Sequence, residues 1–229
     1  MSKENKFETN AIHVGNSPDP STGSISPPIH LTSTYVQDGI GKNKGFDYSR
    51  GTNPTRERLE KNIASLEGGY DAIAFSSGMA ATTALLQHLK QGDHVIISRN
   101  VYGGTYRMTT QVLSNHGLKF DFVDTTDTQN IKETIKPETK WVFIETPTNP
   151  MLEVTDIAAV SKICKESNIK FAVDNTFMSP FGQRPIEHGA DCVMHSTTKF
   201  IGGHSDVLGG VLVAKDKELA DKLHFIQKS

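Results

Sequence analysis

From residue 71 onward, short apolar segments alternate with segments of helical pattern, and this alternation limits the folds open to the chain. The apolar runs have strand length and cover residues 72–75, 93–98, 119–123, 141–145, 170–174, 191–195 and 209–214. Apolar side chains recur at helical spacing over residues 80–90, 105–116, 157–167 and 217–228. Strands that alternate with helices predict an α/β fold with a mainly parallel sheet flanked by helices.

The first 50 residues differ from the rest of the chain. Residues 1–44 lack strong periodicity and contain four prolines and several glycines, which predicts an extended arm that packs on something else. A helix is predicted over residues 56–67, with Thr55 as its N-terminal cap. The predicted organisation is therefore an arm over 1–50 and one large domain over 51–229.

Charge and composition exclude several classes of protein. The net charge is −2 without a dense basic patch, which argues against a nucleic-acid partner. No apolar run approaches the roughly 20 residues that span a bilayer, and the polar N-terminus does not resemble a signal peptide. Cys164 and Cys192 are expected to be reduced core thiols. These features predict a cytoplasmic protein without a membrane partner.

A metal site is not predicted. His195 and His204, with Asp206, match no closed zinc pattern, and no thiolates accompany them. We therefore expect both histidines to be structural.

Five unusual residues lie at or just past the carboxyl ends of predicted strands. They are Gly78, Tyr102, Asn149, Asp174 and Lys199. Ligands bind at this edge of an open α/β sheet, whereas chance would scatter polar residues over both edges. The clustering predicts one site.

Lys199 suggests the chemistry of that site. It follows a buried strand and stands behind two hydroxyl side chains, those of Ser196 and Thr198. A lysine in a partly desolvated pocket can lose its proton and attack a carbonyl carbon, although most lysines are surface charges. Asp174 ends a neighbouring apolar run, where an aspartate often only caps a turn. A lysine, an aspartate and an anion site together are what pyridoxal phosphate requires.

Other candidate residues have structural alternatives that the local sequence leaves open. The turn before Gly78 and Met79 is either an ordinary serine-capped helix start or a phosphate site built from free N–H groups. Tyr102 is either a packed aromatic or a ring that stacks on the cofactor. Tyr48 and Arg50 form either a surface pair or a contact to phosphate.

These segments resemble the Cys/Met-metabolism family of pyridoxal-phosphate enzymes, which have the aspartate-aminotransferase-like fold (fold type I). The resemblance covers about residues 9–227. Its motifs are Tyr48-Ser49-Arg50, Asn53-Pro54-Thr55, Ser77-Gly78-Met79, Val101-Tyr102-Gly103-Gly104-Thr105, Glu145-Thr146-Pro147-Thr148-Asn149-Pro150, Val173-Asp174-Asn175-Thr176 and residues 196–206. Fold type I implies that residues 51–229 are the large, cofactor-binding domain of such an enzyme.

The resemblance implies a role for each candidate. Lys199 and Tyr102 would be catalytic: Lys199 would bond to the cofactor, and Tyr102 would stack on its ring. Asp174 would pair with the ring nitrogen. The residues that would contact the phosphate are Gly78, Met79, Ser196 and Thr198, joined by Tyr48 and Arg50 from a neighbouring subunit. Asn149 would lie near the substrate carboxylate. A homo-oligomer, a dimer of active sites or a tetramer, is implied.

The resemblance also implies the reaction and its alternatives. The leading hypothesis is cystathionine γ-synthase, which replaces the acyl group of an O-acylhomoserine by cysteine in trans-sulfuration. Cystathionine γ-lyase is the alternative, followed by O-acetylhomoserine sulfhydrylase and methionine γ-lyase. Gly104 stands where methionine γ-lyases typically carry a reactive cysteine. Family members continue into a smaller C-terminal domain beyond Ser229, so an inactive fragment or interaction paralogue is the non-enzyme alternative.

Overall fold

A computed structural model describes residues 6–229, so residues 1–5 of the predicted arm lie outside the described part. Within it, seven strands form one sheet in the order β1-β7-β6-β5-β4-β2-β3. The strands are β1 (Asp71–Phe75), β2 (His94–Ser98), β3 (Lys119–Val123), β4 (Thr139–Glu145), β5 (Lys170–Asp174), β6 (Cys192–His195) and β7 (Gly210–Ala214). Every predicted strand is present, with ends shifted by at most two residues.

The sheet is mainly parallel, as predicted. Strands β3, β2, β4, β5 and β6 pair in parallel, whereas β7 runs antiparallel to both of its neighbours, β6 and β1. Because β1 is antiparallel to β7, it points the same way as the parallel strands. The carboxyl ends of β1, β2, β4, β5 and β6 therefore meet at one edge.

Five of the eight helices among residues 6–229 were predicted and differ mainly at their ends, whereas three short helices were not predicted. The helices are α1 (Phe7–His13), α2 (Pro54–Glu67), α3 (Gly78–Gln87), α4 (Gly103–Gln111), α5 (Thr128–Thr134), α6 (Ile157–Glu166), α7 (Ser179–Gly182) and α8 (Lys217–Lys228). The helix predicted over 105–116 is divided into α4 and a 3₁₀ turn that ends at Gly117 in the left-handed region (φ 81°). Helix α1 lies inside the predicted arm and packs on α2, so the arm is not wholly extended.

The N-terminal cap of α2 is Asn53, so the prediction of Thr55 was wrong. The Asn53 side chain accepts the N–H groups of Thr55 and Arg56. Pro54 then occupies the first helical turn, where its missing N–H has no cost. The Thr55 hydroxyl instead accepts the N–H of His30, at 2.9 Å, and so fixes part of the arm on α2.

Apolar cores lie on both faces of the sheet, which holds the carboxyl edge rigid. One face packs against α3, α4 and α8 through residues such as Leu85, Phe143 and Leu212, all almost fully buried. The other face packs against α6 and α2, with Phe171 and Val193 in its centre. Each such side chain contributes roughly 1.5–3 kcal/mol by burial.

Two further expectations concern the cysteines and the membrane. Cys164 and Cys192 are free and buried, as predicted, and burial raises the pKa of the Cys164 thiol to about 12. Among residues 6–229, none of the helices has the length and apolar character needed to cross a bilayer.

Candidate active site

The site candidates come together around Ser196, just past β6. A Cβ placed on Gly78 would lie 2.8 Å from the Ser196 Cβ, so the start of α3 touches this turn. The Ser196 N–H donates to the Thr176 hydroxyl at 2.8 Å, and the Thr176 N–H donates to Asp174 Oδ1 at 3.0 Å. The Lys199 turn, the Asp174 turn and the N-terminus of α3 therefore form one cluster.

Lys199 stands on a tight turn with its side chain exposed. Its N–H donates to the Ser196 carbonyl at 3.1 Å, and its carbonyl accepts the Gly203 N–H at 2.8 Å. In the described chain no carboxylate forms an ion pair with its amine. The backbone is thus fixed while Nζ is left available for a ligand.

Asp174 is a buried carboxyl group at the end of β5, only 6% exposed. Burial raises the pKa of Asp174, and the hydrogen bonds from Thr176 and the charge of His195 partly oppose this shift. Asp174 therefore caps the following turn, as the structural alternative predicted, and it is also a desolvated acid. Such a group favours a cationic partner.

The N-terminus of α3 offers free N–H groups that could hold an anion. Ser77 caps the helix by accepting the Ala80 N–H at 3.0 Å, as the serine-cap alternative predicted. Because one side chain accepts one of the first-turn N–H groups, those of Gly78 and Met79 stay free of intrahelical partners. These N–H groups and the helix dipole favour a phosphate.

The two predicted hydroxyl residues differ in their contacts. The Thr198 hydroxyl donates to the Gly209 carbonyl at 3.2 Å and accepts the Gly209 N–H at 3.0 Å, so it ties the turn to the start of β7. Ser196 lies directly against Gly78. In this conformation the Ser196 hydroxyl is the better placed of the two for an anion at α3.

Tyr102 precedes α4 and leaves 49% of its surface exposed. Its ring lies over Gly104: a Cβ on Gly104 would stand 2.5 Å from Tyr102 Cε1 and 2.8 Å from Met79 Sδ. The absence of a side chain at Gly104 thus allows the ring to lie flat beside the start of α3.

We expect Gly104→Ala to displace the Tyr102 ring, since the added methyl group overlaps it. Loss of one aromatic stacking contact corresponds to about a tenfold weaker binding of pyridoxal phosphate. The matched control is Gly103→Ala, where the added Cβ meets only Arg107 Nη1 at 3.5 Å. Cofactor affinity can be measured by absorbance titration. Equal affinities for the two variants would contradict this account of the Tyr102 position.

Glu145 is a site residue to which the sequence analysis gave no role. It ends β4, is 6% exposed, and accepts the Tyr102 N–H at Oε2 (2.6 Å) and the Asn149 N–H at Oε1 (3.0 Å). The available signal was an acid at the end of an apolar run, in register with Asp174 on β5. Asn149 itself is exposed, on the loop after β4.

A second buried acid lies on the other face of the sheet. Glu67, at the end of α2, is fully buried and contacts His195 Nε2 at 2.5 Å. The Asn175 side chain donates to the same Glu67 oxygen at 2.8 Å. His195 therefore has a structural role that joins α2 to β6, as expected, and its charge acts on Asp174.

Tyr48 and Arg50 are not brought to Lys199 within one chain. They line a separate cleft with Glu60, Asp71 and His224. The Arg50 guanidinium lies 5.5 Å from the centre of the Tyr48 ring and contacts the Lys228 carbonyl. Both residues are exposed, and neither lies in the cluster around Ser196.

The cluster fits pyridoxal phosphate by the chemistry of its groups. Lys199 offers a free amine for an aldehyde, and the start of α3 offers N–H donors for a phosphate. The buried carboxyl group of Asp174 suits a protonated ring nitrogen, which would compensate its desolvated charge. The close contact of Gly78 with Ser196, where no Cβ would fit, keeps the Ser196 hydroxyl beside these N–H donors.

Comparison with known proteins agrees with this chemistry. A model of the family described as "Cys/Met metabolism PLP-dependent enzyme" matches residues 8–229. A probable cystathionine gamma-synthase of Herpetosiphon aurantiacus is 50% identical over 97% of this chain and 70% of its own length. A cystathionine beta-lyase of Lactococcus lactis subsp. cremoris is 48% identical over 97% of the chain and 59% of its own length.

The fold has a close match among solved structures. The crystal structure of cystathionine gamma-lyase from Lactobacillus plantarum, complexed with L-serine, superposes with a TM-score of 0.96. It is 45% identical and is matched over 98% of this chain and 58% of its own chain. The chain thus spans about three fifths of the length of most of these relatives, and 70% of the first.

Proposed function

This chain belongs to the Cys/Met metabolism PLP-dependent enzymes, and on that premise we propose that the whole protein is a trans-sulfuration enzyme that uses pyridoxal phosphate. The observation that carries the proposal is the convergence of three groups at the carboxyl edge. They are the amine of Lys199, the buried carboxyl group of Asp174 and the free N–H groups at the start of α3.

Each group has one task in the proposed reaction. When bound, pyridoxal phosphate supplies a ring that accepts the electrons of a broken bond at the substrate Cα. Lys199 would hold the cofactor through its aldehyde, and its Nζ would move the α-proton of the substrate. Asp174 would hold the proton on the ring nitrogen, Tyr102 would orient the ring, and Asn149 would bind the substrate carboxylate.

The proposal also specifies the amino-acid substrate and the bond that is broken. We favour γ-replacement, in which cysteine takes the place of the acyl group of an O-acylhomoserine and gives cystathionine. γ-Elimination is the alternative. The relatives are named a synthase, a γ-lyase and a β-lyase at similar identity, which supports an amino-acid substrate. Their names do not separate γ-replacement from γ-elimination or β-elimination.

The test is an assay of the whole protein with pyridoxal phosphate. It should form cystathionine from an O-acylhomoserine and cysteine faster than it forms a 2-oxo acid from cystathionine. If the 2-oxo acid forms faster, the activity is elimination and the proposal of γ-replacement is wrong. Cofactor bound at Lys199 without any turnover would support the binding-module alternative.

The outward position of Tyr48 and Arg50 supports a shared site between subunits. The arm carries exposed apolar side chains, among them Leu31 (94%) and Val36 (86%), whose burial in an oligomer is favourable. In the proposed dimer, Arg50 of one subunit binds the phosphate held beside Lys199 of the other.

Mixing two inactive variants of the whole protein tests this sharing. A chain with Arg50→Ala and a chain with Lys199→Ala should each have little activity alone. After subunit exchange at equal amounts, about a quarter of the sites should be intact, because half of the dimers are hybrids with one complete site. Labelled subunits verify the exchange. Proven exchange without recovered activity would exclude the shared site.

A further inference from the structure

Glu145 joins two loops of the site through one buried carboxylate. Its Oε2 accepts the N–H of Tyr102 at 2.6 Å, and its Oε1 accepts the N–H of Asn149 at 3.0 Å. Its own N–H donates to the Ser98 hydroxyl at the end of β2, at 3.2 Å. A single side chain thus joins the backbone of Tyr102 to the backbone of Asn149.

The charge of Glu145 decides how well it holds these loops. An ionised carboxylate accepts both N–H groups strongly, since hydrogen bonds to a charged acceptor are about twice as strong as neutral ones. A protonated carboxyl group gives up part of this capacity, because one oxygen then carries a hydrogen. The positions of Tyr102 and Asn149 therefore depend on the ionisation of Glu145.

Asp174 is the neighbour that controls this ionisation. The two residues are in register on adjacent parallel strands, about 4.8 Å apart, and both are 6% exposed. Burial, and then the charge of Asp174, raises the pKa of Glu145 to about 7, against the two backbone hydrogen bonds. Near neutral pH the pair therefore carries one proton, and the charge of Asp174 favours its location on Glu145.

The other ionisable groups around the pair leave this assignment unchanged. His195, on β6, lowers the pKa of Asp174 and so favours its ionisation ahead of Glu145. Arg99, past the end of β2, is held in ion pairs with two other carboxylates. Lys199 comes from the turn after β6 and is exposed, so solvent screens its charge.

We propose that Glu145 is a positioning residue that ionises fully, and so holds the Tyr102 and Asn149 loops together, when a cation is placed against Asp174. The proposal rests on the proposed function in one respect, because the cation is the protonated ring nitrogen of the cofactor. That cation would offset the charge of Asp174, Glu145 would release its proton to solvent, and both loops would be fixed as the ligand binds.

The first test needs no ligand. Infrared titration of the full chain should show a carboxyl group with a midpoint near pH 7, and Glu145→Gln should remove it. Asp174→Asn removes the neighbouring charge, so the Glu145 midpoint should move to lower pH. The matched control is Glu138→Gln, a half-buried acid just before the opposite end of β4 that pairs with Lys119, and its titration should leave the Glu145 midpoint as in the native chain. A midpoint that Asp174→Asn leaves in place would overturn the proposal.

The same titration predicts a pH dependence of stability. The ordinary pKa of a glutamate is 4.5, so between pH 4.5 and about 7 the folded chain binds more protons at Glu145 than the unfolded chain. The contribution of Glu145 to the free energy of unfolding therefore falls as pH rises through this window. Glu145→Gln should flatten that slope relative to Glu138→Gln. Equal slopes would count against a protonated Glu145.

The second test uses 4′-deoxypyridoxine 5′-phosphate, which has the ring nitrogen and the phosphate but no aldehyde for Lys199. Its affinity is measured by calorimetry for the native chain and for Glu145→Gln. As pH falls below about 7, native Glu145 must lose a proton on binding, so the ratio of native to variant affinity should fall by up to tenfold per pH unit. A constant ratio would overturn the proposal. No binding at all, with the expected titration midpoints, would refute the proposed function but support the coupling of Glu145 to Asp174.

Discussion

Lys199→Ala is expected to abolish the covalent attachment of pyridoxal phosphate, because alanine offers no amine to the aldehyde. The free N–H groups at the start of α3, together with Tyr102 and Asp174, should still bind the cofactor without a covalent bond. The native chain should therefore keep the cofactor after borohydride reduction and denaturation, and the variant should lose all of it. Mass spectrometry of the reduced protein locates the bond.

Two control variants distinguish the loss of the reactive amine from the loss of positive charge at residue 199. Lys199→Arg keeps a cation on the same turn, but its guanidinium stays protonated and does not react, so it should also lose the adduct. Lys215→Ala removes an exposed lysine just past β7, and it should retain the adduct fully. An adduct on a lysine other than Lys199 would show that the site has been placed wrongly.

Asp174→Asn is expected to slow α-proton exchange about a hundredfold in the whole protein. Asparagine keeps the shape and can still accept the Thr176 N–H, which holds the turn at 3.0 Å in the native chain. The substitution removes the charge that favours a proton on the ring nitrogen, and this charge acts strongly because Asp174 is buried. Loss of such stabilisation in a transition state costs about 3 kcal/mol, which corresponds to the expected factor.

The rate is measured by exchange of the substrate α-proton with deuterated solvent at saturating cofactor. The covalent bond to Lys199 should still form, which separates this variant from the previous one. Asp191→Asn is the matched control: it removes a carboxylate just before β6, at the opposite edge of the sheet, where it binds Lys170 and the Phe171 N–H. If the Asp174→Asn variant exchanges the α-proton at the native rate, Asp174 has only a structural role as a turn cap.

The sequence by itself determined the strands, the longer helices and the sheet edge at which the candidate site lies. Strand and helix follow from the spacing of apolar side chains over a few residues, which is a local property. Gly78, Tyr102, Asn149, Asp174 and Lys199 all lie at or just past the ends of such strands. Parallel strands bring their carboxyl ends to one edge, so these residues could be grouped before their contacts were known.

The tertiary structure alone decided how those elements pair. Strand β7 is inserted antiparallel between β1 and β6, although its sequence has the same apolar character as the parallel strands. Strand order depends on contacts between distant parts of the chain, and local periodicity does not encode them. The cap of α2, by contrast, is a local signal: Pro54 fits the first helical position, so Asn53 before it is the cap.

The tertiary structure also decided the electrostatics of the site. An acid at the end of an apolar run reads as an ordinary strand terminus, and only the register of β4 against β5 places Glu145 beside Asp174. Likewise, Glu67 ends a helix in the sequence, and its burial against His195 appears only when α2 packs on the sheet. Charge states depend on burial and on neighbouring charges, and folding brings both together from distant positions in the chain.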